Sequence, residues 1–182
     1  MAATYKLISA VTVGAGGSST ISFSSIPATY TDICLKLSAR STSNTSGQTT
    51  TYVNLTFNGD SGAYYDQRNV SAFFGGTISN QNWSNQNSFY VYQIDASTAT
   101  SNIFSNTEIY VPNYTSTSNK SISNDGVAEN NISSGTDRVI ALVAGLYHPS
   151  SNIAISSVSL TTGGAGDFAQ YTTAYLYGIK SS

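Results

Sequence analysis

Acyl-transfer chemistry requires a nucleophile beside a general base, and this sequence offers few residues for either role. His148 is the only histidine and Cys34 is the only cysteine. His148 stands beside Pro149 in a predicted loop, whereas Cys34 falls inside a predicted strand, where a lone cysteine ordinarily serves as a small packed residue. No G-x-S-x-G elbow accompanies a suitably placed Asp and His. We therefore expect no catalytic residue and no enzymatic activity.

Acidic side chains are the remaining candidates, either as a pair that hydrolyses glycosides or as oxygen ligands for calcium. The segment 125–129 (DGVAE) lacks the dense acidic spacing of an EF-hand loop and is typical of a hairpin turn with Asp-Gly at its tip. We expect no metal ion and no cofactor. The carboxylates considered for a glycosidase pair are Asp60, Asp66, Asp125 and Glu129.

Tyrosines at the C-terminal end offer binding chemistry. Tyr171, Tyr175 and Tyr177 alternate with smaller residues, so they form an outward ladder if the smaller residues face the core. Tyrosine combines a large contact area with few rotatable bonds and a polar tip, which suits a subunit interface or a platform for sugars. Ordinary cross-strand packing is the alternative. The predicted interface residues are Tyr171, Tyr175 and Tyr177.

The elements that would position these residues are strands, because apolar and polar residues alternate with a period of two in most of the chain. Segment 139–147 also carries apolar residues at helical spacing, but it is apolar on both faces like a central strand, which we favour. The glycine-rich segment 14–17 predicts a turn, and the polar tract 79–88 predicts a loop. Strands are predicted at 5–13, 20–24, 32–40, 52–57, 89–94, 103–111, 120–123, 127–129, 139–147, 153–160 and 172–180.

This pattern predicts an all-β fold: one antiparallel β-sandwich domain over residues 1–182, jelly-roll-like, with about ten short strands. Charged residues make up 9% of the chain, against about 25% in a typical soluble domain. The seven Lys and Arg are scattered singly, so we expect no nucleic-acid partner. The longest apolar run has nine residues, so we expect no membrane span. Without a secretory signal pattern at the N-terminus, we expect synthesis in a cytoplasm.

Six short stretches of turns and strand edges are distributed over nearly the whole chain: 5–8 (YKLI), 25–32 (SIPATYTD), 55–62 (LTFNGDSG), 111–116 (VPNYTS), 119–121 (NKS) and 174–180 (AYLYGIK). In these stretches the chain resembles the short β-rich virion structural proteins of tailed bacteriophages. The resemblance, with the small size, implies a capsid decoration or cement protein on the outer surface of the particle. Such a protein would be a homo-oligomer, usually a homotrimer, with the major capsid protein or other virion subunits as partners.

A receptor-binding or carbohydrate-binding module of a tail fibre or spike is the main alternative, since tyrosines rimmed by Asn, Gln, Ser and Thr also suit a sugar site. Its partner would be a host glycan. Against it, strands are predicted from residue 5 to residue 180, and no repetitive stalk is recognisable between them. A free lectin is a third option.

Overall fold

The computed structural model describes residues 4–46, 48–73, 76, 78–131, 138–151, 153–164 and 166–180. All regular secondary structure within these residues is β-strand. The strands are β1 (Tyr5–Thr12), β2 (Thr20–Phe23), β3 (Asp32–Ala39), β4 (Thr50–Phe57), β5 (Tyr65–Phe73), β6 (Ile78–Gln86), β7 (Phe89–Asp95), β8 (Ser105–Val111), β9 (Lys120–Ala128), β10 (Val139–Tyr147), β11 (Val158–Thr162) and β12 (Thr173–Ile179).

The strands form two antiparallel sheets of unequal width. The larger sheet has eight strands in the order β1-β12-β3-β8-β9-β10-β5-β6, and the smaller has four in the order β2-β11-β4-β7. The all-β, antiparallel sandwich prediction is therefore confirmed. The chain passes between the sheets at each step from β1 to β4, while β5 with β6 and β9 with β10 are consecutive pairs within the larger sheet. The narrower description as jelly-roll-like stays a prediction.

One apolar core lies between the sheets, because the inward residues of most strands are aliphatic or aromatic. Three aromatic rings join the two sheets at one place: Phe57 of β4 lies 5.3 Å from Tyr147 of β10, which stacks on Tyr65 of β5 at 4.9 Å. Both tyrosine hydroxyls form hydrogen bonds: the Tyr147 hydroxyl donates to Asp60, and the Tyr65 hydroxyl accepts from the Phe57 amide. The predicted Asn-Gly turn after β4 is confirmed, with φ of 55° and 69° at residues 58 and 59.

The sequence-based prediction of a hairpin tip at Asp125-Gly126 is wrong. Strand β9 runs without interruption from Lys120 to Ala128, and Gly126 pairs with residues of both neighbouring strands. A Cβ atom at Gly126 would lie 2.6 Å from the Thr107 hydroxyl oxygen of β8. The glycine is therefore needed for close packing inside the sheet and does not mark a turn.

The prediction of a loop at 79–88 is also wrong, and the sequence pattern did not predict the neighbouring strand β5. Most of this tract belongs to β6, an edge strand that pairs with β5 alone. Its polar side chains give no alternation, because little of its surface enters the core. Strand β5 reverses the usual pattern: Gln67, Asn69 and Ser71 face inward and are buried, while Val70 faces outward.

Asp95 is a buried carboxyl group at the end of β7. Its Oδ2 atom accepts a hydrogen bond from the Ser105 hydroxyl at 2.7 Å, and its carbonyl oxygen accepts one from the Ser41 amide at 2.7 Å. Burial raises the pKa of Asp95 from 3.8 to about 6, although the Ser105 hydrogen bond and the charge of Arg40 oppose the shift. The folded state therefore favours the protonated carboxyl.

Because the folded-state pKa of Asp95 exceeds its unfolded value, its stabilising contribution is complete below about pH 4 and is lost as the pH rises through about 6. We expect this group to lower the free energy of unfolding by about 2–3 kcal/mol between pH 4 and pH 7. The Asp95→Asn variant should not show this decrease in the free energy of unfolding between pH 4 and pH 7. Urea unfolding at both pH values measures it, and identical pH dependence in the two proteins would contradict the assignment.

Candidate interaction surface

The two residues considered for nucleophilic catalysis lie far apart. Cys34 of β3 and Ala144 of β10 are separated by three strand spacings of about 4.8 Å, and His148 lies four residues beyond Ala144. His148 Nε2 instead lies 3.2 Å from an oxygen of Asp66, and the His148 ring packs edge-on against Tyr64. The structure therefore forms no Cys34–His148 dyad.

The carboxylates considered for a glycosidase pair have different partners or face solvent. Asp60 accepts the Tyr147 hydroxyl and the Gly62 amide, and Asp66 accepts the Asn85 amide. Asp125 is exposed on β9, and Glu129 accepts the Asn131 amide. In the described part of the chain, no three His, Cys, Asp or Glu side chains converge as a metal site would require. No helix in that part has the length and apolar character to cross a membrane.

The outer face of the eight-stranded sheet carries a group of exposed rings at one side. Ala174 and Leu176 of β12 enter the core, so Tyr175 and Tyr177 point outward, as the alternation predicted. Tyr177 pairs with Leu7 of β1 and packs edge-on against Tyr5, with ring centroids 6.2 Å apart. We call Tyr5, Leu7, Tyr175 and Tyr177 the tyrosine patch. Its role as an interface stays a prediction.

Tyr171, the third predicted interface residue, lies outside this patch. It precedes β12 in a turn with φ of 71°, and its amide donates to the Val13 carbonyl. Its side chain is 67% exposed. The left-handed turn ends the regular alternation before β12 begins, so Tyr171 does not extend the ladder formed by Tyr175 and Tyr177.

A second exposed group lies on the other half of the same face. Strand register places Val127 of β9, Ile140 of β10, Ala72 of β5 and Ile78 of β6 in one row across four strands. Leu142 and Val70 stand side by side in the next row. Ile78 is 73% exposed and Leu142 is 63% exposed. We call the five large members the aliphatic patch: Val70, Ile78, Val127, Ile140 and Leu142.

Polar residues of the central strands separate the two patches. Lys36 of β3 pairs with Glu108 of β8 at 2.9 Å, and the Tyr110 hydroxyl donates to Asp32 at 2.8 Å. Both pairs join β3 to β8 on the outer face. The face therefore offers two apolar areas on either side of a hydrogen-bonded strip.

Sequence reasoning missed the aliphatic patch. Segment 139–147 is a strand, as predicted, but its outward residues Ile140, Leu142 and Leu146 are exposed although the segment is apolar on both faces. A sheet face that meets water normally carries polar residues, and contiguous exposed aliphatic side chains mark interaction sites. The apolar residues on both faces of this segment are the available signal, and the same pattern is typical of a central strand buried within one chain.

Cys34 lies on the same outer face but is fully buried. Its cross-strand neighbours are Tyr177 and Tyr110, whose larger side chains flank the thiol. Burial raises the pKa of Cys34 to about 12, and the nearby Glu108 carboxylate adds to the shift. The thiol is therefore protonated and unreactive at neutral pH.

Comparison of the chain with protein-family models, with curated protein sequences and with solved structures found no match.

The buried thiol gives a direct test of how the outer face is packed. We expect native protein at pH 8 to react with an aromatic disulfide reagent at least about 100-fold more slowly than protein unfolded in urea, because both burial and the raised pKa suppress the thiolate. The Tyr177→Ala variant should react faster than wild type, whereas Tyr171→Ala, which lies in the turn before β12 and away from Cys34, should not. Fast labelling of native wild-type protein would contradict this packing.

Proposed function

We propose that this chain is a non-enzymatic structural subunit of a tailed-bacteriophage particle, acting as a capsid decoration or cement protein on the outer surface of the head. The observation that carries the proposal is the aliphatic patch on a sheet face that no element of the described residues covers. Leu142 and Ile78 are too exposed to contribute much to the core, so they are best explained by a surface that another protein covers. The resemblance to β-rich virion proteins supports the identity of the assembly.

The aliphatic patch suits contacts between copies of this chain. Interfaces within homo-oligomers are more apolar than transient ones, and the five residues of the patch carry no charge. A stable interface buries about 800 Å² on each partner, so the patch would form its centre, and its rim would include Asp125, the β9 partner of Leu142, and Arg68 of β5. Following the resemblance, we propose a homotrimer.

The tyrosine patch suits the contact with the capsid shell. Tyrosine rings bury apolar area while their hydroxyls remain able to form hydrogen bonds, as the more polar interface between two different proteins requires. The exposed Tyr175 and Tyr5 have the adjacent Leu7 as an aliphatic neighbour. Because the chain is poor in charge, binding should depend weakly on salt concentration. Occupied sites would stabilise the shell by mass action without any reaction.

Replacement of Leu142 tests the contact between copies. In Leu142→Asp, a charge would be buried at the interface, so we expect a stable oligomer of the wild-type chain to dissociate into monomers. The side chain is largely exposed in the monomer, so the fold should persist. Sedimentation equilibrium and circular dichroism measure the two effects.

The matched control is Thr20→Asp, which places the same charge at an exposed position of β2 in the smaller sheet. It should leave the oligomer intact. A monomeric wild-type protein at micromolar concentration, or an oligomer that survives Leu142→Asp, would contradict the proposed contact.

Replacement of the two outward tyrosines tests the contact with the shell. We expect the Tyr175→Ala, Tyr177→Ala double variant to lose at least about tenfold in affinity for undecorated phage heads while keeping its oligomeric state, since interface tyrosines carry much of the binding energy. Co-sedimentation with heads measures binding. Tyr171→Ala is the control, because its ring lies outside the patch. Unchanged binding of the double variant would remove the tyrosine patch from the proposal.

A further inference from the structure

A separate cleft lies at the open side of the sandwich, where the edge strand β6 of the larger sheet approaches the edge strand β7 of the smaller one. Its volume is about 380 Å³, within the roughly 300–1,000 Å³ range of small-molecule sites. None of the lining residues in the described part of the chain is acidic or basic. The residues that line it are Tyr52, Asn54, Gln81, Trp83, Tyr90 and Gly163.

Three aromatic rings form the walls of the cleft. Trp83 of β6 meets Tyr90 of β7 edge-on, with centroids 5.5 Å apart and an interplanar angle of 88°. Tyr52 of β4 lies 6.3 Å from Tyr90 at 45°. Trp83 and Tyr90 are only partly buried, and Tyr52 is exposed. Aromatic rings from three strands are therefore accessible to a ligand at the opening of the cleft.

Two side-chain amides accompany the rings. Asn54 lies beside Tyr90 in the β4–β7 register, and its side-chain oxygen is buried without a hydrogen-bond partner. The amide of Gln81 is exposed, and its oxygen has only a long contact of 3.5 Å from Asn69. A buried acceptor without a partner is costly, so a turn of the Asn54 amide toward a ligand hydroxyl in the cleft would remove a cost already present in the free protein.

The larger sheet fixes the cleft in place. Gln67 of β5 spans the two sheets: its oxygen accepts the Tyr90 amide at 2.7 Å and its nitrogen donates to the Tyr90 carbonyl at 3.3 Å. The Tyr90 hydroxyl donates to Gln86. On the other wall, a Cβ atom at Gly163 would lie 3.0 Å from that of Tyr52, so the glycine allows the close approach that forms the cleft. The rings are therefore positioned before any ligand arrives.

We propose that this cleft binds a neutral glycan. One sugar ring would pack its C–H face against Trp83 and Tyr90, while its hydroxyls would contact the amides of Asn54 and Gln81. Aromatic rings with a negative face attract the polarised C–H bonds of a pyranose, and amides match hydroxyls because both donate and accept. The uncharged lining disfavours phosphates and acidic sugars, which need a basic partner. This binding goes beyond the structural role and does not depend on it.

Trp83 is the only tryptophan of the chain, so its fluorescence reports directly on the cleft. The isolated protein would be titrated with neutral oligosaccharides built from glucose, galactose, mannose or N-acetylglucosamine. We expect at least one of them to change the fluorescence with saturation and to show the same affinity by calorimetry. Asn54→Ala should weaken binding by at least about tenfold, and Trp83→Phe should retain part of the calorimetric affinity that Trp83→Ala loses.

The matched control is Tyr175→Ala, which removes an exposed ring from the tyrosine patch and should bind the oligosaccharide like wild type. Leu142→Asp should also bind it normally, which separates this proposal from the structural one. Absence of saturable binding by every neutral oligosaccharide would overturn the proposal. A response to a proline-rich peptide without any response to sugars would also overturn it, because it would assign the cleft to peptides.

Discussion

The organising constraint of this molecule is the difference in width between its two sheets. Four strands can cover only part of an eight-stranded sheet, and β7, the edge strand of the smaller sheet, packs across β5, β8, β9 and β10. The inner side of β6 therefore extends toward the edge of the core, where the aromatic cleft forms. No element in the described residues covers the outer face of the larger sheet, so its apolar residues remain exposed. The extent of the core and the position of the cleft follow from the difference in width, whereas the interaction surface lies on the opposite face of the larger sheet.

The parts of the fold that the sequence predicts are those where burial and alternation coincide. β3 and β12 place small or aliphatic residues inward and polar or tyrosine residues outward, so the period of two identifies both the strand and its outer face. The alternation of apolar and polar residues does not identify β5 and β6. Inward Gln67 is polar because it holds the Tyr90 backbone across the sandwich, and β6 has little core to face. A local pattern cannot reveal a hydrogen bond between segments about 20 residues apart.

The candidate surfaces show the same division between local and non-local information. Tyr175 and Tyr177 belong to one strand, so their common outward direction is readable from the sequence. The aliphatic patch requires the register of β9, β10, β5 and β6, which brings Val127, Ile140 and Ile78 into one row. The cleft requires even more, since Tyr52, Trp83 and Tyr90 come from three strands and both sheets. Only the folded chain brings these side chains together.

The chain has few charged residues, and some of them bind backbone carbonyl groups of the protein itself. Arg40 donates to four backbone carbonyls, of Ser97, Ala99, Thr100 and Ile103, and thereby fixes the segment between β7 and β8. Lys120 is buried and donates to the carbonyls of Ser116 and Ser118.

Burial lowers the pKa of Lys120, which shows the cost of using a cation in this way. Arg40 and Lys120 are two of only seven basic residues in the chain, and both are committed to loop carbonyls. In the proposed roles, recognition at the outer face and the cleft would rely mainly on apolar contact and neutral hydrogen bonds. Such contacts are weakly screened by salt, so these surfaces should work over a wide range of ionic strength.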